Sequence, residues 1–213
     1  MTSTFPISKT ILTIADLKNR FALHPNADLE FFPEWCRDLP ELTSSEIKVL
    51  DRLQQRFSIH RERGTISEGA VDKLLLSPLL DLVGFYEPDF SIQTEESVQY
   101  ALEGDDEILR GRIDTLIIQD LFWVLVVEAK RTIMVSLAVP QALAYMMCNP
   151  NPTRPVYGMV SNGDEFIFLK VNAMPQPEYG SSKLYSLFFP LGNRDLHEVF
   201  RVLKQVKDLT ATS

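Results

Sequence analysis

Two apolar runs, Ile113–Gln119 and Leu121–Val127, follow one another across a short Gln119-Asp120 turn. Their Ile, Leu, Val, Phe and Trp content commits this part of the chain to neighbouring strands of a buried sheet. Charges inside such a pair need a reason. Asp114 is near the middle of the strand that carries the first run, and Glu128 and Lys130 follow the second. Side chains two apart in a strand share a face, so Glu128 and Lys130 point the same way. Counted outward from the turn, Asp114 and Glu128 fall at similar but unequal distances, close enough for both carboxylates to reach one cation.

The rest of the chain builds around these strands. Residues 1–43, with scattered aromatics and prolines as in FFPEWCRDLP, read as an irregular wrapping segment with a short strand over Thr10–Ile14. Residues 44–213 form the main domain. TSSEIKVLDRLQQRF supplies a Ser or Thr cap, an early Glu46, and Ile47, Leu50, Leu53 and Phe57 at helical spacing. A second helix runs through TISEGAVDKLLLSPLLDLVGF to about Gly84, with Pro78 expected to kink or divide it. Strands follow at Phe90–Leu102, Ile108–Gln119 and Leu121–Lys130, the first two joined by the charged loop EGDDE. Then come a helix over Ala138–Cys148, a hairpin Val156–Ser161/Glu165–Val171 about Asn162-Gly163-Asp164, a strand Lys183–Phe189 and a helix Asp195–Asp208. The order α-βββ-α-ββ, followed by a last strand and helix, specifies an α/β domain bordering on α+β, with a mixed sheet flanked by helices.

At 213 residues the chain can bury a sizeable core. Its formal charge of −8 excludes a basic body held on nucleic acid by charge alone, so any polyanion contact has to be local. Arg110 and Arg112, with Lys130 and Arg131, offer such a local positive potential, or else balance EGDDE in solvent. Cys36 and Cys148 carry no zinc or disulfide spacing, and the N-terminus lacks the apolar core of a secretion signal. The longest apolar run is far short of a membrane span. These features together suit a reduced, cytoplasmic, soluble protein without a membrane partner. No GxSxG elbow, Walker loop or GxGxxG occurs, and His24, His60 and His197 are dispersed.

Two carboxylates as close as Asp114 and Glu128 repel unless a cation lies between them. Oxygen donors of this kind suit Mg2+ or Mn2+, which polarises a phosphoryl oxygen and lowers the pKa of bound water. Lys130 alongside can orient the attacking water or stabilise developing phosphate charge.

Asp114 followed by Glu128-Ala129-Lys130 resembles the D…(D/E)xK signature of the PD-(D/E)xK nuclease superfamily, with Ile113 where that pattern carries proline. Gln141-Ala-Leu-Ala-Tyr145 is similar to the QxxxY motif of RecB-like nucleases and of the N-terminal nuclease domain of type I restriction enzyme R subunits, the likeness strongest here. Glu68 matches the acidic residue on the first core helix of those families, and SNGDEFIFLKV their later TNG-type hairpin. The resemblance spans about Ser67 to Val171. It implies a restriction-endonuclease-like core and a Mg2+- or Mn2+-dependent nuclease hydrolysing DNA, without the motor of the R subunits. It further implies that Asp114 and Glu128 hold the metal with the Ala129 carbonyl, that Glu68 joins through water or a second ion, and that Lys130 serves the nucleophilic water. Gln141 and Tyr145 would orient Lys130 or contact the DNA backbone, with Arg112 and Arg110 as further substrate contacts. The partners it implies are DNA and either a second copy or a larger restriction or defence assembly.

Two other readings stand beside this one. The chain is a nuclease-fold accessory or DNA-binding module, non-catalytic or dependent on a partner; or Asp114 and Lys130 are an ordinary cross-strand ion pair in an interaction protein.

Overall fold

A computed structural model describes residues 3–28, 30–102, 107–119, 122–129, 135–188 and 194–211, with backbone alone at 122, 124–129, 210 and 211. In chain order the elements are β1 (Ser3–Pro6), α1 (Ile7–Thr10), α2 (Ile14–Phe21), β2 (His24–Pro25), α3 (Ser44–Glu62), α4 (Glu68–Val71), α5 (Ser77–Val83), β3 (Ser91–Ala101), β4 (Glu107–Gln119) and β5 (Phe122–Ala129). They continue with α6 (Val139–Met147), β6 (Val156–Ser161), β7 (Glu165–Asn172), β8 (Glu178–Ser181), β9 (Tyr185–Ser186) and α7 (Asp195–Ala211).

The strands form one mixed sheet in the order β1-β4-β5-β6-β7-β8-β2, with β3 paired to β4 and β9 to β7. Antiparallel ladders join β3, β4 and β5, and β6, β7 and β8, whereas β5 and β6 run parallel. A parallel pair needs a crossover, and α6 is in it. Strand alternation then divides the core into two layers. On β6, Tyr157 and Met159 enter the layer built by α3, α4, α5 and α7, while Val156 and Val160 enter the layer of α1, α2 and α6. β6 is buried on both faces, as a continuous apolar strand at the middle of a covered sheet should be. Each large apolar side chain removed from water in these layers contributes about 1.5–3 kcal/mol.

The main-domain elements expected from periodicity are present. Thr43 and Glu46 form a capping box at the start of α3, and Leu50, Leu53 and Phe57 are its buried stripe. Pro78 does not break its helix where it stands. A π-helical turn over Asp72–Leu76 separates α4 from α5 just upstream, with the Ser77 N–H donating to the Asp72 carbonyl five residues back, and Pro78 falls in the first turn of α5. Gly163, at φ +89, turns the β6–β7 hairpin as a glycine can. Residues 103–106 of the EGDDE loop and Asp120 lie outside the described residues, and the loop's last residue, Glu107, opens β4.

The N-terminal expectations require correction. No strand forms over Thr10–Ile14. Thr13 instead caps α2 in a box with Asp16, a Thr-x-x-Asp signal that outweighs the β-branched residues there. Nor is the segment simply irregular: β1 lies parallel to β4, β2 parallel to β8, and Ile7, Ile11, Leu17, Phe21 and Leu23 are core residues. Glu34, in a 3-10 turn over Pro33–Trp35, reaches into the domain to pair with Lys170 of β7 at 2.6 Å. Of the expected strand Lys183–Phe189, whose last residue lies outside those described, Tyr185–Ser186 form a strand among residues 183–188, because β8 occupies most of the β7 edge. Among the described residues no helix is long and apolar enough to cross a membrane.

Candidate functional site

Asp114 lies half-buried in β4, and its surroundings come from three elements. The first is β5. Close to the turn, Gln119 faces Phe122 and Ile118 faces Trp123, but a bulge between Ile117 and Ile118 shifts the ladder by one residue, so that Ile117 faces Leu125 and Thr115 faces Val127. The next step along that shifted ladder is Asp114 and Glu128. Without the bulge Asp114 would have met Val127, because a one-residue slip exchanges the two faces of a strand. The unequal spacing of the two carboxylates from the turn is thus absorbed in the backbone. Glu128 and Ala129 belong to β5, where they pair with Val160 and Ser161 of β6. Their side chains, and all of Lys130, lie outside what is described.

The second element is β3. Thr94 faces Thr115 and Glu96 faces Ile113, which leaves Glu95 opposite Asp114 with φ +56, a left-handed backbone that only a few per cent of non-glycine residues adopt. Its carboxylate lies 3.5 Å from the Arg112 guanidinium, an exposed pair of little energetic weight. Arg110, also exposed, faces Gln99 of β3 and Pro6 of β1.

The third element is α4. Ser67 caps it by accepting from the Ala70 N–H, which sets Glu68 in the first turn. Asp72 follows four residues later, one helical turn on, at the start of the π-helical turn, where it accepts from the Ser77 hydroxyl at 3.1 Å. Glu68, Gly69, Asp72 and Leu76 from this side and Thr94, Glu95, Asp114 and Thr115 from the sheet line one cleft of about 280 Å³. Glu68 and Asp114, singled out from sequence, are therefore brought to the same cleft. Asp72 and Glu95 were not singled out. The i, i+4 spacing from Glu68 was a usable signal for Asp72; the left-handed backbone of Glu95 leaves none.

Among the described residues the cleft is lined by four carboxylates and no Lys, Arg or His. Among the described residues no three His, Cys, Asp or Glu side chains converge as a metal cluster. The Cys148 thiol, pushed up to about 12 by burial, is no nucleophile at neutral pH.

Gln141 and Tyr145 meet one turn apart on α6, with the Gln141 Nε2 donating to the Tyr145 hydroxyl at 2.5 Å. Tyr145 is only 2% exposed. Its ring lies against Gly111, where a Cβ would come within 2.3 Å of it, so the glycine in β4 makes room for the tyrosine. Burial leaves Tyr145 placed to hold Gln141 rather than to meet a substrate in solvent.

No protein-family model matches the chain, and no curated protein matches it in sequence. Among solved structures, a fragment assigned as an HsdR subunit of a type I restriction enzyme from Vibrio vulnificus YJ016 is similar over 67% of this chain and 26% of that one, with 19% identity and a TM-score of 0.39. The chain spans about a quarter of that structure's length.

Proposed function

We propose that this protein is a divalent-metal-dependent nuclease of the PD-(D/E)xK type that hydrolyses DNA phosphodiester bonds, similar to the nuclease domain of type I restriction R subunits without a motor. The observation that carries the reading is the bulge-shifted ladder, which makes Asp114 and Glu128 successive to the Thr115–Val127 pair beside a cleft of further carboxylates. The donor chemistry fits the ion. Mg2+ is typically held by one or two carboxylates and keeps several waters, which suits Asp114 and Glu128 with the Ala129 carbonyl and asks for no third protein carboxylate in direct contact. Glu68 would act through water. A divalent ion held there would supply a polarised phosphoryl oxygen and a water of lowered pKa.

The chain's own residues would do the rest. Asp114 and Glu128 bind and orient, and Lys130 orients the attacking water and offsets charge developing on the phosphate. Gln141, steadied by Tyr145, orients Lys130. Arg112 and Arg110 are exposed beside Asp114 and would contact phosphates, with Glu95 restraining Arg112.

In the test, plasmid and linear DNA are incubated with Mg2+ or Mn2+ and either wild type or Asp114→Ala. Cleavage by wild type and a loss of about a hundredfold or more in the variant are expected; undiminished cleavage by Asp114→Ala would sink the assignment. A second reading, a nuclease-fold accessory module that works only with a partner, draws on the chain's formal net charge of −8, which gives phosphate no general attraction to the protein. Calorimetric titration separates the two: a protein that takes up no Mn2+ fits the accessory reading alone.

A further inference from the structure

α6 carries Gln141 and Tyr145, yet it has no side-chain cap of its own. Ala138 at its N-cap contributes none, and Pro140 sits in its first turn. The first N–H groups of a helix need acceptors from elsewhere. The 3-10 turn that leads into α6 takes one such acceptor from another part of the sheet. Val135, which opens the 3-10 turn Val135–Ala138 leading into α6, donates its N–H to Glu165 Oε2 at 3.2 Å. Val135 itself is 1% exposed, so this donor is beyond the reach of bulk water. A carboxylate facing a helix N-terminus also meets the positive end of its dipole.

Glu165 is presented by a braced turn. Asn162 Oδ1 accepts from the N–H groups of Asp164 and Glu165, and the buried Ser161 hydroxyl oxygen accepts from the Gly163 N–H. Arg61 at the end of α3 grips Asp164 at 2.6 Å. Gly163 is packed so closely that a Cβ would lie 2.6 Å from Phe57 and 3.1 Å from Val71, the last residue of α4. Ser161 pairs with Ala129 at the end of β5. The turn therefore touches α3, α4, the Glu128-Ala129 end of β5 and, through Glu165, the entry to α6.

We infer that Glu165 is a positioning residue of the proposed nuclease site, one that fixes the start of α6, and with it Gln141, by accepting the Val135 N–H from the β6–β7 turn. The inference rests on the nuclease reading for its catalytic consequence but not for the hydrogen bond. Glu165→Ala and Glu165→Gln are compared with wild type, with Asp114→Ala as the control for that reading. Glu165→Ala is expected to lower kcat on DNA about tenfold to a hundredfold with KM within about twofold. Glu165→Gln, which keeps an acceptor oxygen, is expected to restore kcat to within about threefold of wild type. In metal-free protein the Val135 amide should exchange its hydrogen about tenfold faster in Glu165→Ala. An unchanged kcat, a rise in KM alone, or a folded Glu165→Gln as slow as Glu165→Ala overturns the positioning role. An unchanged Val135 exchange rate overturns the link itself, whatever the nuclease assay gives. Should Glu165→Ala fail to fold, Glu165→Gln and its Val135 exchange decide. Cleavage that persists in Asp114→Ala strikes at the nuclease reading and leaves the exchange result standing.

Discussion

The β6–β7 and β4–β5 hairpins each set a charged residue in an apolar strand, Lys170 buried and Asp114 half-buried, and they surround it differently. On β7, Lys170 is 10% exposed and fully answered: Glu34 Oε1 lies 2.6 Å away, the Phe31 carbonyl accepts at 2.8 Å, and the Tyr157 hydroxyl donates to the same Glu34 oxygen. Burial, first, and then the adjacent Glu34 push the Tyr157 pKa far above its ordinary value, so this hydroxyl stays a donor. On β4, Asp114 faces a cleft whose other charged lining residues, Glu68, Asp72 and Glu95, are all acidic. A charge answered by its opposite ties two parts of the fold together. The proposed metal site calls instead for carboxylates gathered around one cleft.

The largest effect should come from breaking the answered charge. Lys170→Ala leaves Glu34, itself 12% exposed, as a buried carboxylate without its cation, which costs about 3–5 kcal/mol. Urea unfolding should show it as a lower midpoint. The paired replacement Lys170→Met with Glu34→Leu should recover most of the loss, since exchanging a whole buried ion pair for apolar groups is often neutral. If the single variant lost under 1 kcal/mol, Lys170 would be no structural charge and the contrast with Asp114 would fail.

A smaller effect is expected at the turn of the same hairpin. Gly163→Ala puts a Cβ at φ +89 and against Phe57, and should cost about 1–3 kcal/mol. Beside Asp114, Glu95 of β3 holds a left-handed backbone at φ +56, where replacement by Gly should instead be neutral or stabilising.

The two hairpins also differ in how far they could be read in advance. β6–β7 was legible to within a residue, because its strand pattern and Asn162-Gly163-Asp164 are local signals and its ladder runs without a shift. The β4–β5 strands were legible as strands, but their register was not. A register shift at Ile117/Ile118 has no side-chain signature, and it alone brings Thr115 opposite Val127, so that Asp114 and Glu128 are the residues next beyond that pair. The N-terminal segment was the least legible. α1 is four residues long and β2 two, too short for periodicity, although the Thr13–Asp16 capping box was there to be seen. Glu34 and Lys170 escaped notice because they lie far apart in sequence, and only the fold makes them partners.

Next in size is a surface version of the answered charge. Glu46 caps α3 and meets Lys204 of α7 at 2.8 Å. Burial works to raise its pKa, but hydrogen bonds from Lys204 and Thr43 outweigh that and hold it below the ordinary value of 4.5. A depressed folded pKa means that its stabilisation is complete above pH 4.5 and is lost as pH falls through the folded value. Glu46→Gln should therefore melt below wild type at pH 7, by about 1 kcal/mol, and the two curves should converge at acid pH. Curves that stay parallel down to pH 3 would show that the carboxylate's charge contributes nothing.

The smallest effect on stability, and the one that tests the contrast most directly, belongs to Asp114. If it were another answered charge, Asp114→Ala would destabilise the protein as Lys170→Ala does. On the metal-site reading, Asp114→Ala removes one of the four carboxylates that line the cleft, and the metal-free variant should melt within about 0.5 kcal/mol of wild type or above it. Added Mn2+ should then stabilise wild type alone, since an ion that binds only the folded state raises its stability in proportion to the logarithm of its concentration. A clear metal-free loss in Asp114→Ala would make β4–β5 a second structural hairpin, and the functional reading of Asp114 and Glu128 would go with it.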